Sequence, residues 1–174
     1  MKSPLIMGWR EWIELPELGV ARIKAKVDTG ARSSSLHAED IELFQLRGEV
    51  GVRFVVLPLQ RSRLRPVPCQ APLYDERYVK SSNGSRELRP VIRTAVRWGG
   101  QVWEVDVTLT SRDLMGFRML LGREAIRRRF LVDTGRSYFG GRAIAAAQPL
   151  PISVPAVVPA VAHVPAKKKR RGGA

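Results

Sequence analysis

Val20-Ala21-Arg22-Ile23-Lys24-Ala25-Lys26-Val27-Asp28-Thr29-Gly30-Ala31 decides the reading of this chain of 174 residues. Ile23, Ala25 and Val27 alternate with Arg22, Lys24 and Lys26, the period of a strand with one buried face. A carboxylate therefore stands at the end of a strand. Thr29 can hydrogen-bond nearby backbone or a second copy of the same loop, and Gly30 frees the turn and lets another chain approach closely. That is the chemistry an aspartic protease needs. Asp-Thr-Gly recurs at Asp133-Thr134-Gly135, so the string alone also fits a plain strand-to-turn with an Asx hydrogen bond.

A second segment raises the specificity. Met119-Leu120-Leu121-Gly122-Arg123-Glu124-Ala125-Ile126 runs from an apolar strand through glycine into a short helix, predicted over 123–129. With these two segments go Gly8-Trp9-Arg10-Glu11-Trp12 with Leu15 to Gly19, Lys24 to Ala38, and Ser81-Ser82-Asn83-Gly84 with Arg89-Pro90-Val91-Ile92. Over roughly residues 8–139 the chain resembles the bacterial branch of the retropepsin-like aspartic endopeptidases, a family that also carries the label ATP-dependent zinc protease.

The resemblance implies a mainly β, retropepsin-like acid-protease barrel with one short helix. It makes Asp28 the catalytic residue and Thr29, Gly30 and Ala31 its supporting loop, with Leu120, Leu121 and Gly122 packed beside them. It also makes the hairpin of residues 78–90 a flap closing over bound peptide, with Ser81, Ser82, Asn83 and Gly84 at its tip. An ordinary exposed hairpin is the competing reading, since Asn-Gly is a tight-turn signal anywhere. Viral relatives carry an acidic residue after Asp-Thr-Gly-Ala, whereas this chain has Arg32, a candidate cation for a substrate carboxylate.

Charge and cysteine usage bound the setting. Thirty Lys and Arg against 16 Asp and Glu give +14, and Lys167 to Arg171 supply five of these, leaving +9 (25 minus 16) on the body. Such a chain attracts polyanions, acidic polypeptide among them. Cys69 is alone, so a reducing, cytoplasmic setting is expected. No stretch approaches the ~18 apolar residues of a membrane span, and no signal-peptide core opens the chain.

Along the chain, Trp9 to Leu15 and Val20 to Val27 read as a hairpin turned by Pro16 to Gly19, followed by a polar loop through Ser35. Val50 to Leu59 reads as a buried strand, and the proline-rich Arg61 to Pro72 as an edge or irregular connection. Val91 to Trp98 and Gln101 to Leu109 form a hairpin about Gly99-Gly100, pairing Val96 with Trp103, Thr94 with Val105, Ile92 with Val107 and Arg93 with Asp106. The domain is expected over 1–145. Residues 146–174, with Pro149, Pro151, Pro155, Pro159 and Pro165, read as a disordered tail ending in the basic run.

Peptide hydrolysis of this kind needs two carboxylates sharing one proton around a water. The second is expected from Asp28 of another chain in a homodimer. Asp133 is the alternative, disfavoured because few residues and no second Leu-Leu-Gly follow it. His37, His163 and Cys69 lack metal-ligand spacing and no phosphate-binding loop is present, so neither metal nor cofactor is expected. Family members are associated with ATP-grasp ligases that add glutamate, which suggests such a ligase as partner and an acidic peptide as substrate. A competing class is a non-catalytic basic β-barrel that binds acidic protein or nucleic acid through Trp9, Trp12, Trp98, Trp103 and arginines. Nucleic acid is disfavoured because the tryptophans mostly fall at core positions of hairpins.

Overall fold

The computed structural model describes residues 5–46, 48–80, 84, 86–111 and 116–141. Among the described residues the chain is mainly β, with one short α-helix. Its strands are β1 (Leu5–Gly8), β2 (Arg10–Leu15), β3 (Val20–Asp28), β4 (Ser34–Leu46), β5 (Glu49–Val56), β6 (Val67–Pro72), β7 (Asp75–Lys80), β8 (Arg86–Trp98), β9 (Gln101–Thr110), β10 (Met119–Gly122) and β11 (Phe130–Asp133), with α1 (Arg123–Ile126) between the last two.

The large sheet runs β10-β3-β2-β8-β9-β4-β5-β6, with β7 added on β8. Because β10 bonds to β3 on one side and to β4 on the other, the path returns on itself around a core. Ile13, Leu15, Ile23, Leu36, Ile92, Val107, Leu109 and Leu121 fill that core with almost no exposure. A separate parallel pair, β1 with β11, joins the two ends of the described chain.

The alternation in β3 buries Ile23, Ala25 and Val27 and turns Arg22, Lys24, Lys26 and Asp28 outward. Its hairpin with β2 turns through one 3-10 turn, Pro16–Leu18, capped by Gly19 at φ 66, where glycine carries no Cβ penalty. The β8–β9 hairpin has the expected register, including Arg93 opposite Asp106. Among the described residues, proline-rich β6 pairs only with β5 and forms the edge of the sheet, as the prolines require.

Four expectations need correction. The polar loop after Asp28 ends at Ser33, since Ser34 opens a strand of 13 residues. That segment mixes Ser, His, Glu and Asp with apolar residues, so its pattern is weak; pairing with β9, β10 and β5 decides its conformation. The helix is one turn, Arg123–Ile126, because Arg127 leaves helical geometry and Arg128 sits at φ 63. The buried strand expected at 50–59 ends at Val56. Of the four tryptophans only Trp98 and Trp103 are core, both packed on Phe130. Trp9 and Trp12 are half-buried. The expected tail and its boundary near 145 lie outside the described residues, as do the flap-tip residues Ser81, Ser82 and Asn83.

Candidate active site

Asp28 closes β3 opposite Gly122 of β10. Its Oδ1 accepts the backbone N–H of Gly30 at 3.1 Å and of Ala31 at 3.0 Å. The loop itself thus orients the carboxylate. Oδ2 lies 3.7 Å from Lys26 Nζ, and the side chain is 27% exposed, open enough to meet a ligand.

The second expected segment locks this loop from behind. Arg123 N donates to Ala31 O at 2.7 Å and Glu124 N to Arg32 O at 3.1 Å, while Gly122 N donates to Ser34 Oγ. A Cβ on Gly122 would lie 2.4 Å from Ser33 O, so only glycine permits the approach. Leu121 is fully buried under the loop strand and Leu120 half-buried. Ser34 is buried and spends its hydroxyl on the Gly122 N–H.

Arg32 does not turn to Asp28. Its guanidinium donates to Glu124 Oε1 at 2.7 Å, and that hydrogen bond holds the Glu124 carboxyl below its ordinary range. The cation beside Asp28 is instead Lys26, which the strand alternation puts on the same face as Asp28. Thr29 is exposed in the loop, and its carbonyl accepts from Arg123 at 3.5 Å.

The expected flap is a hairpin of β7 and β8 running from Asp75 opposite Val91 to Lys80 opposite Arg86. Gly84 stands in its turn at φ 85. Asp106 of β9 accepts from Arg93 of β8 at 2.8 Å and from Arg77 of β7 at 3.2 Å, tying the hairpin's base to the body. Burial alone would raise the Asp106 carboxyl, but these two guanidinium hydrogen bonds outweigh it and hold it below the usual range. A cleft of about 490 Å³ opens between this base, the loop at Ser33 and Ser34, and α1. Asp28 does not line it.

The second Asp-Thr-Gly repeats the construction of the first. Gly135 N donates to Asp133 Oδ1 at 2.8 Å, as Gly30 N does to Asp28. Asp133 ends β11 opposite Gly8 of a parallel strand, Leu5-Ile6-Met7-Gly8, as Asp28 ends β3 opposite Gly122 of Met119-Leu120-Leu121-Gly122. The residue after each glycine donates its N–H to the residue after each Asp-Thr-Gly: Trp9 to Arg136 O, and Arg123 to Ala31 O. A cation stands near each outer oxygen, Arg136 at 3.9 Å and Lys26 at 3.7 Å. The apolar-glycine strand that matches Asp133 therefore precedes it by more than 120 residues, where a search downstream does not find it. Trp9 also ties this second loop to β3, since its O accepts Val27 N at 2.9 Å.

Glu11 was not singled out from the sequence, yet it holds this region. Fully buried, it accepts from Gly8 N at 2.7 Å, Phe139 N at 2.9 Å, Gly140 N at 3.3 Å and Trp98 Nε1 at 3.1 Å. Four donors are what a buried carboxylate requires. The signal was its phase: Glu11 alternates with Ile13 and Leu15 and so faces inward.

Comparison with known proteins agrees with this architecture. A family model described as RimB-like, retropepsin-like aspartic endopeptidase RimB, matches residues 6–143. A probable alpha-L-glutamate ligase of Desulfotalea psychrophila is 50% identical over 128 residues, 74% of this chain and 28% of that protein. One of Shewanella pealeana is 50% identical over 136 residues, 78% of this chain and 30% of that protein. The chain thus spans less than a third of the length of these curated relatives. The crystal structure of Lpg0085 of Legionella pneumophila, a protein of unknown function, superposes with a TM-score of 0.67 at 29% identity, covering 79% of this chain and 99% of that one. The chain belongs to the RimB-like family of retropepsin-like aspartic endopeptidases.

Proposed function

We propose that this protein is an aspartic endopeptidase acting through Asp28. The observation that carries the reading is the loop geometry: Oδ1 tied down by two amides, Oδ2 beside Lys26, and the side chain part-exposed. In this reaction an ionised carboxylate takes a proton from the attacking water while a protonated partner polarises the scissile carbonyl. Thr29, Gly30 and Ala31 hold the loop; Leu120, Leu121 and Gly122 back it. The β7–β8 hairpin, with Gly84 in its turn, covers bound peptide.

The partner carboxylate comes from Asp28 of a second copy in a homodimer. Sharing a proton requires contact of about 3 Å, which a twofold axis beside the Asp28 loop would supply between two copies. A second reading, with Asp133 of the same chain as partner, is favoured by the repeated construction of its loop. The basic body and the glutamate ligases among the relatives support an acidic peptide substrate in the cytoplasm and a glutamate ligase as working partner.

The test is cleavage of a glutamate-rich peptide library by the full chain and by Asp28→Asn, read by mass spectrometry. Loss of turnover by at least about 10³-fold with unchanged circular dichroism is expected. Equal turnover by the variant would exclude Asp28 chemistry, and absence of cleavage by the native chain would leave the non-catalytic binding module.

A further inference from the structure

One face of the β2–β3 hairpin carries an unbroken row of rings and cations. Strand alternation turns Arg10 and Trp12 of β2 and Arg22, Lys24 and Lys26 of β3 to the same side, with Trp12 directly opposite Lys24. Arg22 Cζ lies 4.6 Å and Lys24 Nζ 5.1 Å from the Trp12 ring centre. Tyr138 lies nearly parallel to Trp12, at 23° and 6.2 Å. Arg10 Cζ stands 5.2 Å from Tyr138 and 4.5 Å from Trp9, and Trp9 meets Phe117 edge-on at 5.9 Å. Trp9, Trp12, Phe117 and Tyr138 are all half-buried, each keeping part of its surface in solvent.

Tyr138 is held there against its own backbone preference. Its φ is 62, a left-handed conformation costly for a non-glycine residue. The segment is fixed by Tyr138 N on Arg10 O, by Arg10 Nε on Ser137 Oγ, and by Glu11 taking the next two amides. Strain maintained by this many bonds, with its product a ring laid on Trp12, points to use of that ring.

We propose that this face binds single-stranded nucleic acid. The cations offer phosphate contacts, and bases stack on the rings by displacing the cations that now lie over Trp9, Trp12 and Tyr138. An acidic polypeptide would use the cations but gain nothing from a row of aromatic rings, which decides between the two polyanions. The nearby carboxylates do not cancel the charge: Glu14 is engaged by Arg97, Asp133 lies by Arg136, and Asp28 takes up only Lys26 at the end of the row. The expectation that the tryptophans are core had counted against nucleic acid, and it fails for the two that build this row. The proposal is independent of hydrolysis at Asp28.

The experiment is fluorescence anisotropy of a labelled oligouridylate of about 12 nucleotides, within the range of single-strand site sizes, titrated with the full chain at several salt concentrations. Trp12→Leu weakens binding about tenfold through lost stacking, and Trp12→Phe restores most of it. Lys24→Glu weakens binding and lowers the slope of log affinity against log salt by about 0.7. Replacing Lys167, Lys168, Lys169, Arg170 and Arg171 by Gln lowers overall affinity while leaving the Trp12 effect in place. The proposal is overturned if the native chain fails to bind, or if Trp12→Leu and Lys24→Glu, with native circular dichroism, bind as the native chain does. It is also overturned if an oligoglutamate peptide binds more tightly at equal salt and displaces the oligonucleotide. Should Trp12→Leu not fold, Lys24→Glu and quenching of tryptophan fluorescence by the oligonucleotide decide alone.

Discussion

Gly122 and Gly8 hold the two aspartate loops by having no side chain. Neither needs a left-handed backbone; each is pressed against a carbonyl, Ser33 O at 2.4 Å and Arg136 O at 2.6 Å from where a Cβ would stand. Gly122→Ala should cost about 3 kcal/mol, an overpacking penalty against backbone that cannot yield. A urea midpoint lowered at unchanged m-value would show it. At Gly30 the nearest atom is Asp28 Oδ1 at 3.4 Å, so Gly30→Ala should be much milder. Cys69 makes the opposite point about chemistry. Burial pushes its thiol up to about 12 from 9.0, and the sulfur donates to the carbonyls of Leu18 and Val67. It should resist alkylation at pH 8 until the protein unfolds. Because the folded thiol ionises later than the unfolded one, its contribution is complete below pH 9 and is lost as pH rises toward 12. Rapid labelling of native protein would refute this. Asp28, Gly122 and their pairing were legible in the sequence because each lies in a short string with one geometry. Lys26 as the cation beside Asp28 was legible only in the strand's phase, and Arg32 drew attention because it is adjacent in sequence.

Among elements, β7 is tied to β9 through the carboxylate of Asp106. Asp106 receives both Arg77 and Arg93, so it links the proposed flap to β9 with two charge-assisted hydrogen bonds. Asp106→Asn should cost about 1 kcal/mol, less than two buried ionic bonds would give, since the side chain is 28% exposed. Its carboxyl is held below the ordinary range, so its contribution is present above pH ~4 and lost as pH falls through the folded value. Hydrogen exchange should report faster opening in β7 of the variant, and unchanged protection there would place the flap's support elsewhere. The Arg93–Asp106 pair was readable because a two-residue turn sets register throughout a hairpin. β4 was not readable, because three different partners stabilise a strand whose own pattern is mixed. The Ser137 to Gly140 segment was missed for the same reason: Glu11 and Arg10, nearly 130 positions away, hold it.

At the scale of the whole molecule the open quantity is where the second carboxylate stands. The chain builds one half-site from its middle, Asp28 with Gly122, and another of like construction from its ends, Asp133 with Gly8. Two assemblies follow, and they differ in a measurable way. In a twofold dimer with Asp28 from each chain, Asp28→Asn subunits poison native ones once subunits exchange. An equal mixture then holds about a quarter native dimers, halving the activity of the native chains present, and a ninefold excess cuts it about tenfold. Asp133→Asn stays active. If Asp133 serves within one chain, dilution with the Asp28→Asn protein leaves activity per native chain constant, and Asp133→Asn is as damaging as Asp28→Asn. We expect poisoning, because sharing a proton needs contact of about 3 Å, which a twofold axis beside the exposed Asp28 loop would supply. Constant activity per native chain, with exchange verified by mass spectrometry of mixed dimers, would remove the dimeric site.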